Sequence, residues 1–346
     1  MVSPVKKSVR PTITALPSDR RTCTSWERQR TQRAWDSLSR TRQARLLFTA
    51  LRGLIEGKPL DGLGLSRKRD RLDLSGLITP EPVEVARFQT AVADVAQVKG
   101  IVVANRSVWT GLDFSGAQLN GICFVDCVIN NCVFDNCQCR EWGLWGTTIS
   151  DTTFKAADLR RAALGGVREG KRNTYRRVDF AAADLRQIAC TAAEFVECTF
   201  KDTRLSKIDF QTSSFSNCSF EGELREVLFY RKGFDSESLP PNNMVGVDFT
   251  RAKLRFVEFR GLDLEDVRFP ADQDHIVLND YPKTLDRLIQ VFEAQSDVAS
   301  KKLTAYLRVL RKWAGPKQRR GIVNKYDLIE LVGDGGLKRF LQVLGQ

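Results

Sequence analysis

Four cysteines fall within the sixteen residues CVINNCVFDNCQCREW, 127–142, and Cys123 lies just upstream. The C-x4-C spacing of Cys127, Cys132 and Cys137 lies within the spread used by zinc ligands, so the stretch raises metal, disulfide and redox chemistry together. The chain has nine cysteines but a single histidine, His275. Imidazole is the commonest metal ligand and the commonest general base near neutral pH, so a multi-His metal site or a His-based triad is nearly excluded. Phosphate loops, dinucleotide fingerprints and nucleophile elbows are absent from the sequence. No catalytic constellation and no cofactor motif stands out, and the chain is expected not to be an enzyme.

The elements that would have to position those thiols decide between the readings. At 346 residues, with 42% hydrophobic and 28% charged residues, the chain has the composition of a soluble folded protein with room for two or three units. It has no apolar run of the length a membrane span needs, and the basic start MVSPVKKSVRPTITALPSDRR is too short in apolar residues and too rich in proline for a secretory signal. A cytoplasmic protein with mostly reduced thiols is the expectation. The net charge of +12 divides as +10 over residues 1–108, −2 over 109–269 and +4 over 270–346, so the basic character sits in the flanks.

The middle region follows a ruler of five. Large apolar residues recur at Trp109, Phe114, Leu119, Phe124, Ile129, Phe134, then, after Cys139, at Leu144, Ile149, Phe154, Leu159 and Leu164. After the charged stretch GGVREGKRNT the series resumes at Tyr175, Phe180, Leu185, Cys190, Phe195, Phe200, Leu205, Phe210, Phe215 and Phe220. It slips by one residue and runs on through Leu224, Phe229, Phe234, Leu239, Met244, Phe249, Leu254, Phe259, Leu264 and Phe269. Neither a helix at 3.6 residues nor a strand at 2.0 sustains such a period, so the backbone must turn after every fifth residue.

Two residues before each large one lies a small or β-branched residue, such as Ala117, Ile122, Thr147, Thr152, Ala157, Ala183 or Thr203. Cys127, Cys132, Cys137, Cys198 and Cys218 occupy this same slot. Buried cysteine behaves as a small hydrophobe, and the structural reading outweighs a zinc or redox site. Cys139 and Cys190 take large-residue positions, while Cys123 falls in an outward phase and is expected to be the reactive thiol. Cys198 and Cys218, twenty residues apart, should meet in adjacent layers as free thiols.

The pattern of a small residue, Asp or Asn, Leu or Phe, then two variable residues resembles the pentapeptide-repeat family, most plainly in ADLRR, VDFAA, ADLRQ and VDFTR. The resemblance covers roughly residues 107–270. It implies a mainly β fold, a right-handed quadrilateral β-helix in which four pentads make one square coil, flanked here by N-terminal and C-terminal α-helical segments. Thirty-two centres make about eight coils, a rod on the order of 38 Å long at the interstrand spacing. Its structural core would comprise Phe114, Leu119, Phe124, Ile129, Phe134, Phe180, Phe195, Phe200, Phe210, Phe215, Phe220, Phe249 and Phe259. Some members of the family bind DNA gyrase or topoisomerase IV by imitating duplex DNA with an acidic rod.

The expected organisation is a basic disordered tail over 1–22, a basic helical segment over 23–71, an entry or cap segment over 72–108, the repeat region over 109–270 and a C-terminal helical segment over 283–346. In the first helical segment Leu46, Leu47, Ala50, Leu51, Leu54 and Ile55 form an apolar stripe suited to packing on the rod. Arg28, Arg30, Arg33, Arg40, Arg42 and Arg45, with Lys317, Arg319 and Arg320 near the other end, are candidates for binding an acidic partner or nucleic acid. Leu285, Ile289, Phe292, Leu303, Tyr306, Leu310 and Trp313 step by four and three on an expected helix of about thirty residues, a seam for a homodimer or for packing within the chain. The tail LIELVGDGGLKRFLQVL places Gly333 and Gly335 at a turn between two helical stretches. The function expected is that of a non-catalytic scaffold presenting the rod and the loop 165–174 to a protein partner. The alternatives are a topoisomerase-binding DNA mimic and nucleic-acid binding through the flanks.

Overall fold

The structure, a computed structural model, describes residues 42–79, 102–233, 239–315 and 318–345. Every fifth residue of the central region lies in the left-handed conformation, from Arg106 (φ 51°) through Gly111, Gly116, Gly121, Asp126, Asn131 and Asn136 to Asn217 (φ 52°), with a jump of phase at residues 161–177. This is the turn the five-residue period requires. Glycine, asparagine and aspartate take it at low cost, whereas Ala156 (φ 53°) and Ala182 (φ 56°) hold it under local strain. Between turns the chain runs as strands of two to four residues, lengthening to between six and twelve at Leu205–Phe210, Ser219–Tyr230 and Asp248–Arg255, that pair in parallel with the same side of the next coil.

Four parallel ladders result, offset by five residues. One runs through Val108, Val128, Thr148, Thr174, Glu194 and Ser214. The second passes through Asp73, Asp113, Val133, Thr153, Asp179, Thr199, Ser219, Asp248 and Arg268, which counts nine layers. The third joins Gln118, Gln138, Asp158, Asp184 and Arg204. The fourth joins Val103, Cys123, Gly143, Ala163 and Ala189.

Phenylalanine fills the axis. Phe114, Phe134, Phe154, Phe180, Phe200, Phe220 and Phe249 stack face to face in one column with centroids 4.7–5.5 Å apart. Tyr175, Phe195 and Phe215 form a second column, and Phe210, Phe229 and Phe259 a third. All thirteen residues expected in the core are buried. The ring spacing is that of the strands, so each ring gains a stacked neighbour above and below in addition to its burial.

Three departures from the ruler are visible. The first layer begins upstream of Trp109: LDLSG, 72–76, pairs with LDFSG, 112–116, and buries Leu74 as the later pentad buries Phe114. Residues 166–172 leave the coil as an antiparallel hairpin, Val167 to Arg172 and Arg168 to Lys171. Gly165 permits it, because a Cβ there would come within 2.3 Å of the Thr191 backbone. Phe229 pairs with Phe259 across thirty residues rather than twenty, so ten more residues than the ruler allows separate these two layers. Leu239 is half-exposed there instead of inward, and Phe234 lies outside the described residues.

Helices close both ends. Helix α1 (Arg42–Ile55) buries Leu47, Ala50, Leu51, Leu54 and Ile55 against the first coils, while Leu46 stays half-exposed. It stops at Gly57, whose φ of 66° suits a left-handed helix end. Residues 58–71 are irregular and strand rather than helical, because Gly62 and Gly64 also take positive φ and Arg67–Lys68 pairs back on Arg71–Asp73. At the far end α2 (Tyr281–Glu293), α3 (Val298–Trp313) and α4 (Lys325–Leu344) pack with the antiparallel strands His275–Asn279 and Arg320–Asn324 around a separate apolar core. The single helix of about thirty residues expected here is two helices. Asp297 accepts from the Ser300 N–H as the cap of α3, which starts a new helix where the seam has its polar interruption. No helix of the described residues is long and apolar enough to cross a membrane.

Candidate interaction surface

The thiols are part of the rod's bonding scheme. Cys132, Cys137, Cys198 and Cys218 donate to the carbonyls of Trp109, Phe114, Tyr175 and Phe195, each twenty-three residues back, at 2.7–3.5 Å. Cys127 reaches the Ala104 carbonyl at 3.2 Å by the same step. Thr147, Thr203 and Ser213 make the equivalent bond with a hydroxyl to Phe124, Phe180 and Cys190. The slot therefore takes a small side chain, and where that side chain carries a donor, as Cys, Thr and Ser do, the donor bonds to the previous layer's carbonyl, whereas Ala117, Ala157 and Ala183 fill it without one. Three larger residues fill the same position and were not anticipated from composition: Trp142 donates to the Leu119 carbonyl at 2.5 Å, and Asn173 and Asn242 donate to those of Leu144 and Tyr230. All eight cysteines of the described residues are free and buried. Cys123 is not an outward reactive thiol: it packs with Val103 and Val125, and burial pushes its pKa up to about 12. Among the described residues no three or more His, Cys, Asp or Glu side chains are grouped to hold a metal.

His275 is a joint. Its Nε2 accepts from the Leu254 N–H at 3.0 Å and from the Asn324 amide at 3.1 Å, so the ring proton sits on Nδ1 and is donated to Asp272 at 2.8 Å. Burial raises the Asp272 pKa, but the bonds from the His275 ring and from the Asp274 and His275 N–H groups together outweigh it and hold the carboxyl below its ordinary value. The ring thereby ties the last coils to the strand Arg320–Asn324. Every polar atom of the ring has a structural partner.

The outward residues differ sharply between faces. On the third ladder, the position after each inward residue is Arg140, Arg160, Arg186, Ser206, Arg225 and Arg255 in successive layers, with Arg204 beside Ser206. Asp158 accepts from Arg140 Nε at 2.6 Å and from both arms of the Arg160 fork at 2.9 and 2.7 Å. Asp184 accepts the Arg186 fork at 2.9 and 2.7 Å, with Arg160 at 3.7 Å and Arg204 at 3.6 Å. Two carboxylates thus face four guanidiniums, which remain 35–66% exposed. The Arg160 fork and then Arg140 hold the Asp158 pKa well below the usual carboxylate range.

Elsewhere on the rod the charges pair off between layers, as in Lys155 with Asp179, Lys201 with Glu221 and Arg268 with Asp248. Val108 and Val128 stand exposed on the first ladder. The hairpin 166–172 is pinned by Arg168 to Asp126 and Arg172 to Glu194, and presents Val167 to solvent.

The flanking candidates separate. Arg28, Arg30, Arg33, Arg40 and Lys317, and the side chain of Arg42, lie outside the described residues. Arg45 is exposed on α1. Arg319 pairs with Glu265 at 2.9 Å, and Arg320 lies over the Phe269 ring at 5.3 Å, so both join the cap to the rod. Of the seam, Leu285, Phe292, Leu303 and Leu310 are buried in the cap core, with Ile289 and Tyr306 packed against it. Trp313 lies under the Arg260 guanidinium at 4.4 Å. These side chains meet within one chain.

Residues 176–211 and 242–269 match the model for pentapeptide repeats, in eight copies. Among similar solved structures are trypsin-treated QnrB1, a plasmid-mediated fluoroquinolone resistance protein, with 18% identity over 45% of this chain and 82% of that one and a TM-score of 0.25. HetL, a pentapeptide repeat protein involved in heterocyst differentiation regulation in the cyanobacterium Nostoc, has 16% identity over 49% and 85% and a TM-score of 0.18. Rfr23 from the cyanobacterium Cyanothece has 14% identity over 28% and 64% and a TM-score of 0.13. No curated protein matches the chain.

Proposed function

We propose, on the premise that this chain is a pentapeptide-repeat protein, that it is a non-catalytic scaffold whose rod is displayed to a macromolecular partner. The four ladders are read as the sides of a right-handed quadrilateral coil. The observation that carries the reading is the division of labour along each pentad. The inward residue and the slot two before it are consumed by the core, the corner is fixed by its left-handed backbone, and both ends are closed by helices. What remains for selection to use is the outward residues and the hairpin 166–172, which form a display surface rather than a cleft.

The imitation of DNA toward gyrase or topoisomerase IV has less support, because carboxylates on the rod sit against Lys or Arg in adjacent layers. The test is site-specific photocrosslinking in an extract of the native host, from Arg186, Val128 and Lys171 of the intact protein. One defined protein captured from a subset of these positions is the expected result. Capture from none of them sinks the reading. Direct duplex binding by the basic flanks would instead show a steep loss of affinity between low and physiological salt.

A further inference from the structure

The arginine column continues under the C-terminal cap, and there it is occupied. Arg255 donates to Asp327 at 2.7 Å and to Glu330 at 3.0 Å, and Arg225, one layer back, donates to the same Glu330 at 3.2 Å. Asp327 and Glu330 lie three residues apart on α4, so the first half of that helix runs along the column toward the N-terminal layers. It stops following the column at Gly333, whose φ of 72° and ψ of 175° break the helix. The second half packs on the cap instead: Phe340 stacks on Phe292, and Arg339 pairs with Asp297. Past Ser206, Arg186, Arg160 and Arg140 carry on the line, with Arg204 alongside in register with Asp184, and no helix of the described residues lies over them. Under α4 Arg255 is 18% and Arg225 34% exposed, and the four beyond it range from 35 to 66%.

We propose that this open stretch of arginines docks an acidic α-helix of a partner protein, continuing the path that α4 leaves at Gly333. The spacing fits. Coil rungs are about 4.8 Å apart, and a helix rises about 1.5 Å per residue, so carboxylates at i, i+3, i+7 and i+10 recur about every 5 Å. Four rungs and four carboxylates stay in step over roughly 15 Å. Arginine offers fork geometry to each carboxylate, and the four guanidiniums exceed the two aspartates that share them. A nucleic-acid partner is less favoured, because this stretch has no aromatic side chain for stacking and the occupied part of the column holds carboxylates.

The inference rests on the interaction reading above, and two measurements separate them. The probe is a labelled helical peptide with Glu at i, i+3, i+7 and i+10, against a peptide of equal composition with the Glu residues spread round the helix, each titrated into the full chain by fluorescence anisotropy. The patterned peptide should bind, and Arg140→Gln with Arg204→Gln should weaken it by about tenfold. Glu330→Gln, which frees Arg225 to extend the track, should tighten it by about threefold, a change in the direction opposite to any folding defect. Equal binding of both peptides, or no effect of the arginine substitutions, overturns the proposal. Displacement of the peptide by a duplex DNA at lower concentration than by unlabelled peptide overturns it in favour of nucleic acid. If peptide binding fails while crosslinks from Val128 or Lys171 persist, the acidic-helix docking falls and the scaffold reading stands.

Discussion

Residues 102–230 repeat one set of contacts in every layer, whereas the cap over 272–345 makes each of its contacts once. In the rod, Phe180 has Phe154 below it and Phe200 above it in the same geometry that Phe134 has with Phe114 and Phe154. In the cap, Asp327 is the acceptor for both the Phe256 N–H and Arg255, and His275 alone joins Leu254 to Asn324. A repeated contact distributes a loss over its neighbours, while a single-use contact localises it.

The largest effect should come from cutting the ring column. Phe180→Ala removes a fully buried ring from the middle of a stack and should cost about 4 kcal/mol, read as a lower midpoint for the whole rod in denaturant. Phe249→Ala, nearer the end, should cost less, since fewer layers depend on it. Equal effects at the two positions would break the picture of a quasi-one-dimensional stack. The next effect belongs to the cap. Asp327→Ala leaves the Phe256 N–H without its acceptor and Arg255 with Glu330 alone, and should cost about 2 kcal/mol. Hydrogen exchange should then accelerate over 281–345 and stay slow over 112–220; uniform acceleration would show that cap and rod open as one unit.

These two regions were also unequally legible in the sequence. The rod was readable because one inward position recurs every five residues and tolerates almost nothing but Phe, Leu, Ile and their like. The same regularity hid two things. LDLSG at 72–76 already belonged to the first coil, and its near identity to LDFSG at 112–116 was the available signal, but an interval of forty residues separates them. Leu239 kept the phase by coincidence and is half-exposed. Trp142 breaks the size rule of the slot two before each inward residue, and its Nε1–H donor to the Leu119 carbonyl, the bond that Cys, Thr and Ser make in other layers, is what admits it there. The cap's heptad-like spacing gave helices correctly, but a polar residue at Ser296 in a seam of otherwise apolar steps could equally mark a register device or a break. The Asp297 cap decides for the break. The arginine column was written in ADLRR and ADLRQ, yet only the ladder register shows that Arg160 and Arg186 stand on adjacent rungs and that α4 lies on the same line.

Acid should sharpen the contrast at an intermediate magnitude. The Arg160 fork lowers the Asp158 pKa, and at Asp184 the cost of burial is outweighed by the Arg186 fork, the Arg186 N–H and the nearby Arg160 charge together, so both carboxyls ionise more readily folded than unfolded. The stability they add is fully present above the unfolded value of about 3.9 and is lost as pH falls through their lower folded values. Burial pushes Asp327 up instead, against the pull of Arg255, so its protonation acts with the opposite sign. The rod's denaturation midpoint should therefore hold from neutral pH to about 4 and decline below it. Asp158→Asn with Asp184→Asn should flatten that decline, and a decline of unchanged steepness would mean the arginine column contributes nothing to holding the layers.

The smallest effect expected is at the thiols, and it tests the rod at its finest grain. Cys132 sits where Thr152 and Thr203 sit in other layers, and its Sγ donates to the Trp109 carbonyl at 3.3 Å. Cys132→Ser keeps a donor of similar size in the slot and should cost about 1 kcal/mol or less. Cys132→Val fills the volume without a donor and should cost more, because the Trp109 carbonyl loses that partner in a buried position. In the native protein a thiol reagent should leave the eight buried cysteines unlabelled until unfolding, Cys123 included, since burial both blocks access and raises the thiol pKa to about 12 there. Serine costing more than valine, or rapid native labelling of Cys123, would show that the slot is selected for apolar volume alone or that the fourth ladder is open at its N-terminal end.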